Sequence, residues 1–391
     1  MRCKRIIAAL SLCLLFALPL RALAAVPQEI QDGVNSALDN TQLDSWQELF
    51  SSLPDEVRAM WGGEDLNTIV GGYALGESGF WGQTLQQGLT GLFKAMLPEV
   101  LPTLLSLFAV ALLSGFLRAM SDAGMSGLND IAGFVCQCFA IGIALNEFLS
   151  LAVLARESIV QTTAFIELAF PVLLTLLTAA GGIASAGIFQ PAMAMLSSGV
   201  SVALQGVVLP VILTGGVMGV LNNITGRVQL GQFFKLSKTV AKWMIGFLFT
   251  LYFGITTLQG MTAASFDGIS IRTAKFALDK LVPIVGGMVS GTVDTMLGCA
   301  VLAKNAVGVA AILIAFSIIC LPLLRIAAGM LAFRLAAAAC EPIADPRLPK
   351  MLEALAEVLT YLFAAAVSLS VMFIITVGLI ISTGNIAALG G

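Results

Sequence analysis

From residue 100 onward the chain alternates long apolar runs with short charged interruptions. Uncharged stretches cover 100–117, 131–146 (continuing past Glu147 to 155), 168–226, 243–266, 305–324 and 358–391. A bilayer core about 30 Å thick takes roughly 20 apolar residues as a helix. The run 168–226 holds 59 residues without a charge, enough for two spans with a break between Gly181-Gly182 and Gln190-Pro191. The pattern therefore predicts seven spans, at 100–117, 131–154, 168–188, 193–221, 243–261, 305–324 and 358–381. An eighth candidate, 281–303, contains Asp294 and glycines at 286, 287, 291 and 298. It spans inside a bundle, re-enters, or lies at the interface. The expected fold is an all-α polytopic membrane protein of about seven to eight transmembrane helices, with a re-entrant or broken segment.

The first hundred residues follow a different pattern. Arg2, Lys4 and Arg5 precede an apolar core at 6–20, and Ala22-Leu23-Ala24 matches a small-x-small cleavage site. This is a secretory signal, with 1–24 as the signal peptide. An uncleaved anchor is the alternative, since Arg21 stands beside the site. Residues 25–99 carry 11 acidic and two basic side chains, the mark of an acidic leader exported ahead of the polytopic domain at 100–391. Ser45-Trp46-Gln47-Glu48 reads as a capping box, with Trp46, Leu49, Phe50 and Leu53 at helical spacing. Seven glycines between Gly62 and Gly82 leave the leader a weak independent core. Leu85, Leu89, Leu92, Phe93 and Met96 form an apolar stripe that suits a surface-lying helix or a partner-docking element.

Orientation and span count pull against each other. With an exported leader and alternating crossings, two spans in 168–226 place Arg227, Lys235, Lys238 and Lys242 outside, against the positive-inside tendency. Three remedies exist: an odd number of crossings in 168–226, an incomplete span at 131–154, or a basic stretch packed in protein. The favoured remedy is a broken or re-entrant segment near Gly181–Pro191, because glycine and proline at membrane depth need protein or water to satisfy the backbone.

Composition agrees with lipid as the main solvent. Hydrophobic residues make up 58% and charged residues 11%, less than half the share in a soluble domain. A basic nucleic-acid-binding face is excluded on the same ground. The chain has no histidine, which removes His triads, His metal ligands and His proton relays. No Lys follows a Gly, so there is no Walker A loop. The seven cysteines include no C-x-x-C pair. Nothing here calls for a cofactor or a metal, and no paired carboxylates at helix spacing support an enzyme.

Two carboxylates inside apolar stretches, Glu147 and Asp294, are the candidate intramembrane polar sites, with Glu167 at a boundary. An intramembrane acid is costly and is a functional hypothesis by default. The plainer readings are a charge at a helix end for Glu147 and an interfacial amphipathic helix for Asp294. Gly215-x-x-x-Gly219 and Gly287-x-x-x-Gly291 suit close helix packing, within the chain more than with a partner.

Ser270-Ile271-Arg272-Thr273-Ala274-Lys275-Phe276-Ala277, then Pro283-Ile284-Val285-Gly286-Gly287, resembles the stage III sporulation protein AE family. So do Asp294-Thr295-Met296-Leu297-Gly298, Val301-Leu302-Ala303-Lys304-Asn305-Ala306-Val307-Gly308, and the segment from Arg334-Leu335-Ala336-Ala337-Ala338 through Glu341-Pro342-Ile343-Ala344-Asp345-Pro346-Arg347-Leu348. The resemblance spans nearly the whole chain. It implies a membrane subunit of a channel or secretion-like sporulation complex linking mother cell and forespore, needed for late forespore gene expression. It implies a place in the mother-cell membrane around the forespore. The implied partners are other membrane and ring-forming subunits, a separate cytoplasmic ATPase, and a forespore membrane protein across the intermembrane space. Members are called permease-like, and the family supplies no functional residues to carry over. A stand-alone secondary transporter is the alternative, though no internal repeat is evident; an intramembrane enzyme ranks last.

Overall fold

The computed structural model describes residues 44–51, 57–58, parts of 101–116, 126–224, 230–281, 286–342 and 346–383. The signal peptide at 1–24, most of the leader and the stripe at 85–96 lie outside the described residues. Within them every regular element is a helix. These are α1 (Asp44–Ser51), α2 (Ser126–Ala179), α3 (Ile183–Ala203), a π-helical turn (Leu204–Val208), α4 (Leu209–Ile224), α5 (Gly231–Leu281), α6 (Gly286–Cys340) and α7 (Arg347–Ser382). The π turn joins α3 and α4 into one rod. Pro210 has no N–H for the carbonyl of Gly206 and its ring crowds that carbonyl, so a wider turn just before it relieves both faults.

Five helices among the described residues are long and apolar enough to cross a membrane: Gln137–Ala179, Ile183–Asn222, Gly231–Thr262, Thr295–Cys340 and Arg347–Ser382. The expected count of seven to eight is therefore corrected for this region. The segments 131–154 and 168–179 belong to one uninterrupted α2 of 54 residues, about 80 Å long. No loop separates them at 156–167. Arg156, Glu157 and Glu167 are good helix formers, and they sit on the helix's outer side while Ile159, Thr162, Phe165 and Ile166 are buried. The eighth candidate at 281–303 and the span at 305–324 likewise merge, because α6 runs from Gly286 to Cys340. Within the expected span at 100–117, the described residues 101–102, 105–110, 112–113 and 115–116 are helical, with Leu107 buried in the core.

The expected break near Gly181 is present, but as a tight turn rather than a re-entrant segment. Gly181 has φ 87°, a left-handed conformation that glycine adopts without penalty. Gly182 then opens α3, and Pro191 lies inside that helix.

Side-chain neighbours fix the register of the bundle. Lys304 of α6 reaches Ile381 and Thr383, while Thr360 meets Met330 and Arg334, so α6 and α7 are antiparallel. Lys238 pairs with Glu357 and Tyr252 with Thr376, so α5 and α7 are parallel. Phe165 and Phe170 of α2 meet Phe373 at centroid distances of 5.7 and 5.9 Å. A Cβ on Gly216 would touch both Phe148 and Val358. Thus α2 also runs parallel to α7. One end of the bundle carries Lys235, Lys238, Lys242, Arg347 and Lys350; the other carries the Gly181 turn and the end of α7.

Burial divides the helices by role. The most apolar window of α6 is 61% buried and that of α7 56%, whereas that of α5 is only 11% buried. The α6–α7 hairpin is the centre, and α5 turns an aromatic, aliphatic side outward. Gly215 and Gly219 sit where α4 crosses α5, with Ser237 and Phe234 in the space a Cβ would fill. That G-x-x-x-G serves contact within the chain.

The short α1 is not an independent unit. Trp46, Phe50 and Val57 are buried in the same core as the long helices, and Trp46 meets Phe165 edge to face at 5.5 Å. The aromatic row Trp46, Phe165, Phe373 and Phe170 ties the N-terminal segment to α2 and α7.

Candidate functional site

The two carboxylates singled out from the sequence are not brought together. Glu147 lies on α2 at the level of the basic end, close to Phe148 and its neighbour Val358. It is half-buried and lines an open groove of about 510 Å³ with Cys138, Phe139, Gly142, Ile143 and Asn146. All six come from α2, so the groove is the side of one helix rather than an enclosed cavity. Asp294 lies on α6 ten residues before Lys304, towards the opposite end; its side chain is outside the described residues. No acid–acid constellation forms between them.

What the helices do assemble is a set of polar contacts between the long apolar helices and at their ends. Lys304 is fully buried. Its Nζ donates to the carbonyl of Ile381 at 3.0 Å and to that of Thr383. These carbonyls belong to the final turn of α7, which has no further helical N–H to serve them. The ammonium therefore caps the helix at the negative end of its dipole. On the α5–α7 face, Tyr252 and Thr376 share a buried hydrogen bond of 2.7 Å between their hydroxyls. On the α2–α3 face, Gln205 donates to Ser201 at 2.8 Å and Ser201 to Thr163 at 3.2 Å. Gln205 stands in the π turn, so the irregular backbone and the polar chain coincide. At the basic end Lys238 bonds Glu357 at 2.7 Å and lies over the Phe234 ring, 4.2 Å from its centroid.

These groups hold helices together; they do not converge on a reacting centre. Among the described residues no group of three or more Cys, Asp or Glu side chains is placed to hold a metal. The free cysteines Cys299, Cys320 and Cys340 are buried, and Cys138 is exposed. Sequence reasoning missed Lys304, Tyr252 and Gln205. Lys304 had a visible signal, a lone cation directly before an uncharged run. Tyr252 and Gln205 are ordinary polar residues in apolar helices, and only their partners mark them.

Such an arrangement defines a class: a polytopic α-helical membrane protein whose buried polar groups serve helix packing. The family is shown by comparison. A sequence profile described as Stage III sporulation protein AE matches residues 65–384, and the chain belongs to that family. It is 30% identical over 305 residues to Stage III sporulation protein AE of Bacillus subtilis (strain 168), covering 77% of this chain and 76% of the relative. No solved structure matches.

Proposed function

We propose that the chain is a membrane subunit of the channel or secretion-like complex that links mother cell and forespore during sporulation. The observation that carries this reading is the family match over 65–384, which covers all five long apolar helices. On this reading the chain sits in the mother-cell membrane around the forespore and joins other membrane and ring-forming subunits. A separate cytoplasmic ATPase supplies the energy, in keeping with a sequence that has no Walker A loop. A forespore membrane protein meets the assembly across the intermembrane space.

The proposed topology places the basic end in the cytoplasm. With α2 as a single crossing, an exported leader followed by one crossing in 100–117 puts the start of α2 inside. The Gly181 turn is then outside, and the segment bearing Lys235, Lys238 and Lys242 is inside, as the positive-inside tendency requires. The conflict that two separate spans create at 131–154 and 168–188 vanishes.

The functional test is deletion in a sporulating host, followed by reporters of late forespore gene expression. Deletion is expected to arrest development after engulfment with those reporters silent, and the intact gene to restore them. Normal late expression in the deletion strain contradicts the proposal. The purified chain in liposomes is expected to move no solute by itself; robust gradient-driven uptake contradicts the subunit reading.

A further inference from the structure

The first turns of α5 set lysines beside an exposed apolar face. Lys235, Lys238 and Lys242 stand at i, i+3 and i+7, on one side of the helix. Lys238 is engaged within the chain: its Nζ lies 2.7 Å from Glu357 and over the Phe234 ring. Lys235 and Lys242 are exposed, and among the described residues neither ammonium has a hydrogen-bond or ion-pair partner. Of the five long apolar helices α5 has the least buried apolar window, so lipid has direct access to this side.

The length of the apolar face fixes the depth of these lysines. Trp243 follows Lys242 directly and has 75% of its surface exposed. From there α5 carries no charge to residue 266 and turns Phe247, Leu251 and Leu258 outward. The stretch 243–262 rises about 30 Å, the thickness of the hydrocarbon core. An exposed Trp with lysines just beyond it is the pattern of a helix at the headgroup level. Headgroups occupy roughly 5–7 Å outside the hydrocarbon. Lys242 stands at that boundary, and Lys235 lies about 10 Å further out along the helix. Long flexible stems let one ammonium reach outward and the other inward, so both charges come to the phosphate level.

We propose that Lys235 and Lys242 hold the phosphate of an anionic phospholipid whose chains lie along Trp243 and Phe247. The inference rests on the membrane-subunit reading and adds to it what the basic end of α5 binds. Charge complementarity selects the ligand. An anionic surface attracts exposed lysines beside a membrane-crossing helix. A zwitterionic headgroup brings its own cation next to the two ammoniums, whereas a glycerol headgroup brings none. Lys238 takes no part, because Glu357 already neutralises it.

The test is quenching of Trp243 fluorescence by brominated lipid in the full-length chain, reconstituted in phosphatidylcholine bilayers. Trp61→Phe and Trp81→Phe remove two other signals, and the buried Trp46 supplies a background shielded from lipid. Brominated phosphatidylglycerol is expected to quench Trp243 at a several-fold lower fraction of the bilayer than brominated phosphatidylcholine. Lys235→Ala and Lys242→Ala are each expected to reduce that preference about fivefold, with quenching by brominated phosphatidylcholine unchanged. Lys235→Arg with Lys242→Arg is expected to keep the preference, and so is Lys350→Ala, an exposed lysine on α7. Equal quenching by the two lipids overturns the proposal, as does a preference that survives Lys235→Ala with Lys242→Ala. Loss of the preference on adding inorganic phosphate, at matched ionic strength, overturns it in favour of a free-phosphate site. Quenching of Trp243 by neither lipid is a different failure, because it places α5 outside the bilayer and refutes the membrane-subunit reading itself.

Discussion

Lys304 shows how a single side chain closes an element. Its ammonium is buried against the last carbonyls of α7, 77 residues further along the chain. Hydrogen bonds to a charged donor contribute roughly 1.5–3 kcal/mol each way they are measured. Lys304→Met keeps the apolar stem and removes the donor. It is expected to destabilise the bundle by about 2 kcal/mol, read as a lower denaturant midpoint in detergent, with the end of α7 cleaved faster by protease. An unchanged midpoint and cleavage rate would mean that water or another donor satisfies those carbonyls. The sequence exposed Lys304 only as a lone charge before an apolar run, the same appearance as a loop residue at a membrane surface. What separates a cap from a loop charge is a partner on another helix, and spacing along one helix carries no information about it. Glu147 and Asp294 illustrate the converse. Their positions inside apolar stretches were legible, but their separation to opposite ends depends on helix register.

At the scale of elements, the apolar runs located helices well and divided them badly. The runs at 243–261 and 358–381 each fall within one long helix, α5 and α7. The break at Gly181 was also legible, because only a glycine-rich step interrupts that long apolar run. The division of α2 into two spans was the failure. Arg156, Glu157 and Glu167 interrupt the apolar pattern as a loop would, yet no glycine or proline lies between Glu147 and Phe170 to stop the helix. These three side chains recur on the exposed side together with Val153, Val160 and Leu168, while Ile159, Thr162, Phe165 and Ile166 are buried, the arrangement of one continuous helix packed on one side. Gln161→Pro separates the alternatives, since its side chain is exposed and no packing is lost with it. Inside a continuous helix the change costs about 3 kcal/mol, and a sharp loss of folded protein in the membrane is expected, with Gln161→Ala unaffected. Tolerance of Gln161→Pro would restore a loop at 156–167.

At the scale of the whole molecule, merging the two spans changes the side of the membrane on which every later segment lies. On the proposed topology, with an exported leader and a crossing at 100–117, one crossing in α2 sends the Gly181 turn outward and the segment after Gly231 inward; two crossings do the reverse. Span count and charge placement then agree, whereas from apolar runs alone they conflict. The most direct measurement is labelling of single cysteines by a membrane-impermeant maleimide in intact and permeabilised cells. Ile183→Cys beside the Gly181 turn and Lys235→Cys at the start of α5 are both exposed sites. The predicted result is that Ile183→Cys reacts in intact cells and Lys235→Cys only after permeabilisation. Labelling of Lys235→Cys from outside, with Ile183→Cys protected, would contradict the single crossing of α2 and the orientation built on it.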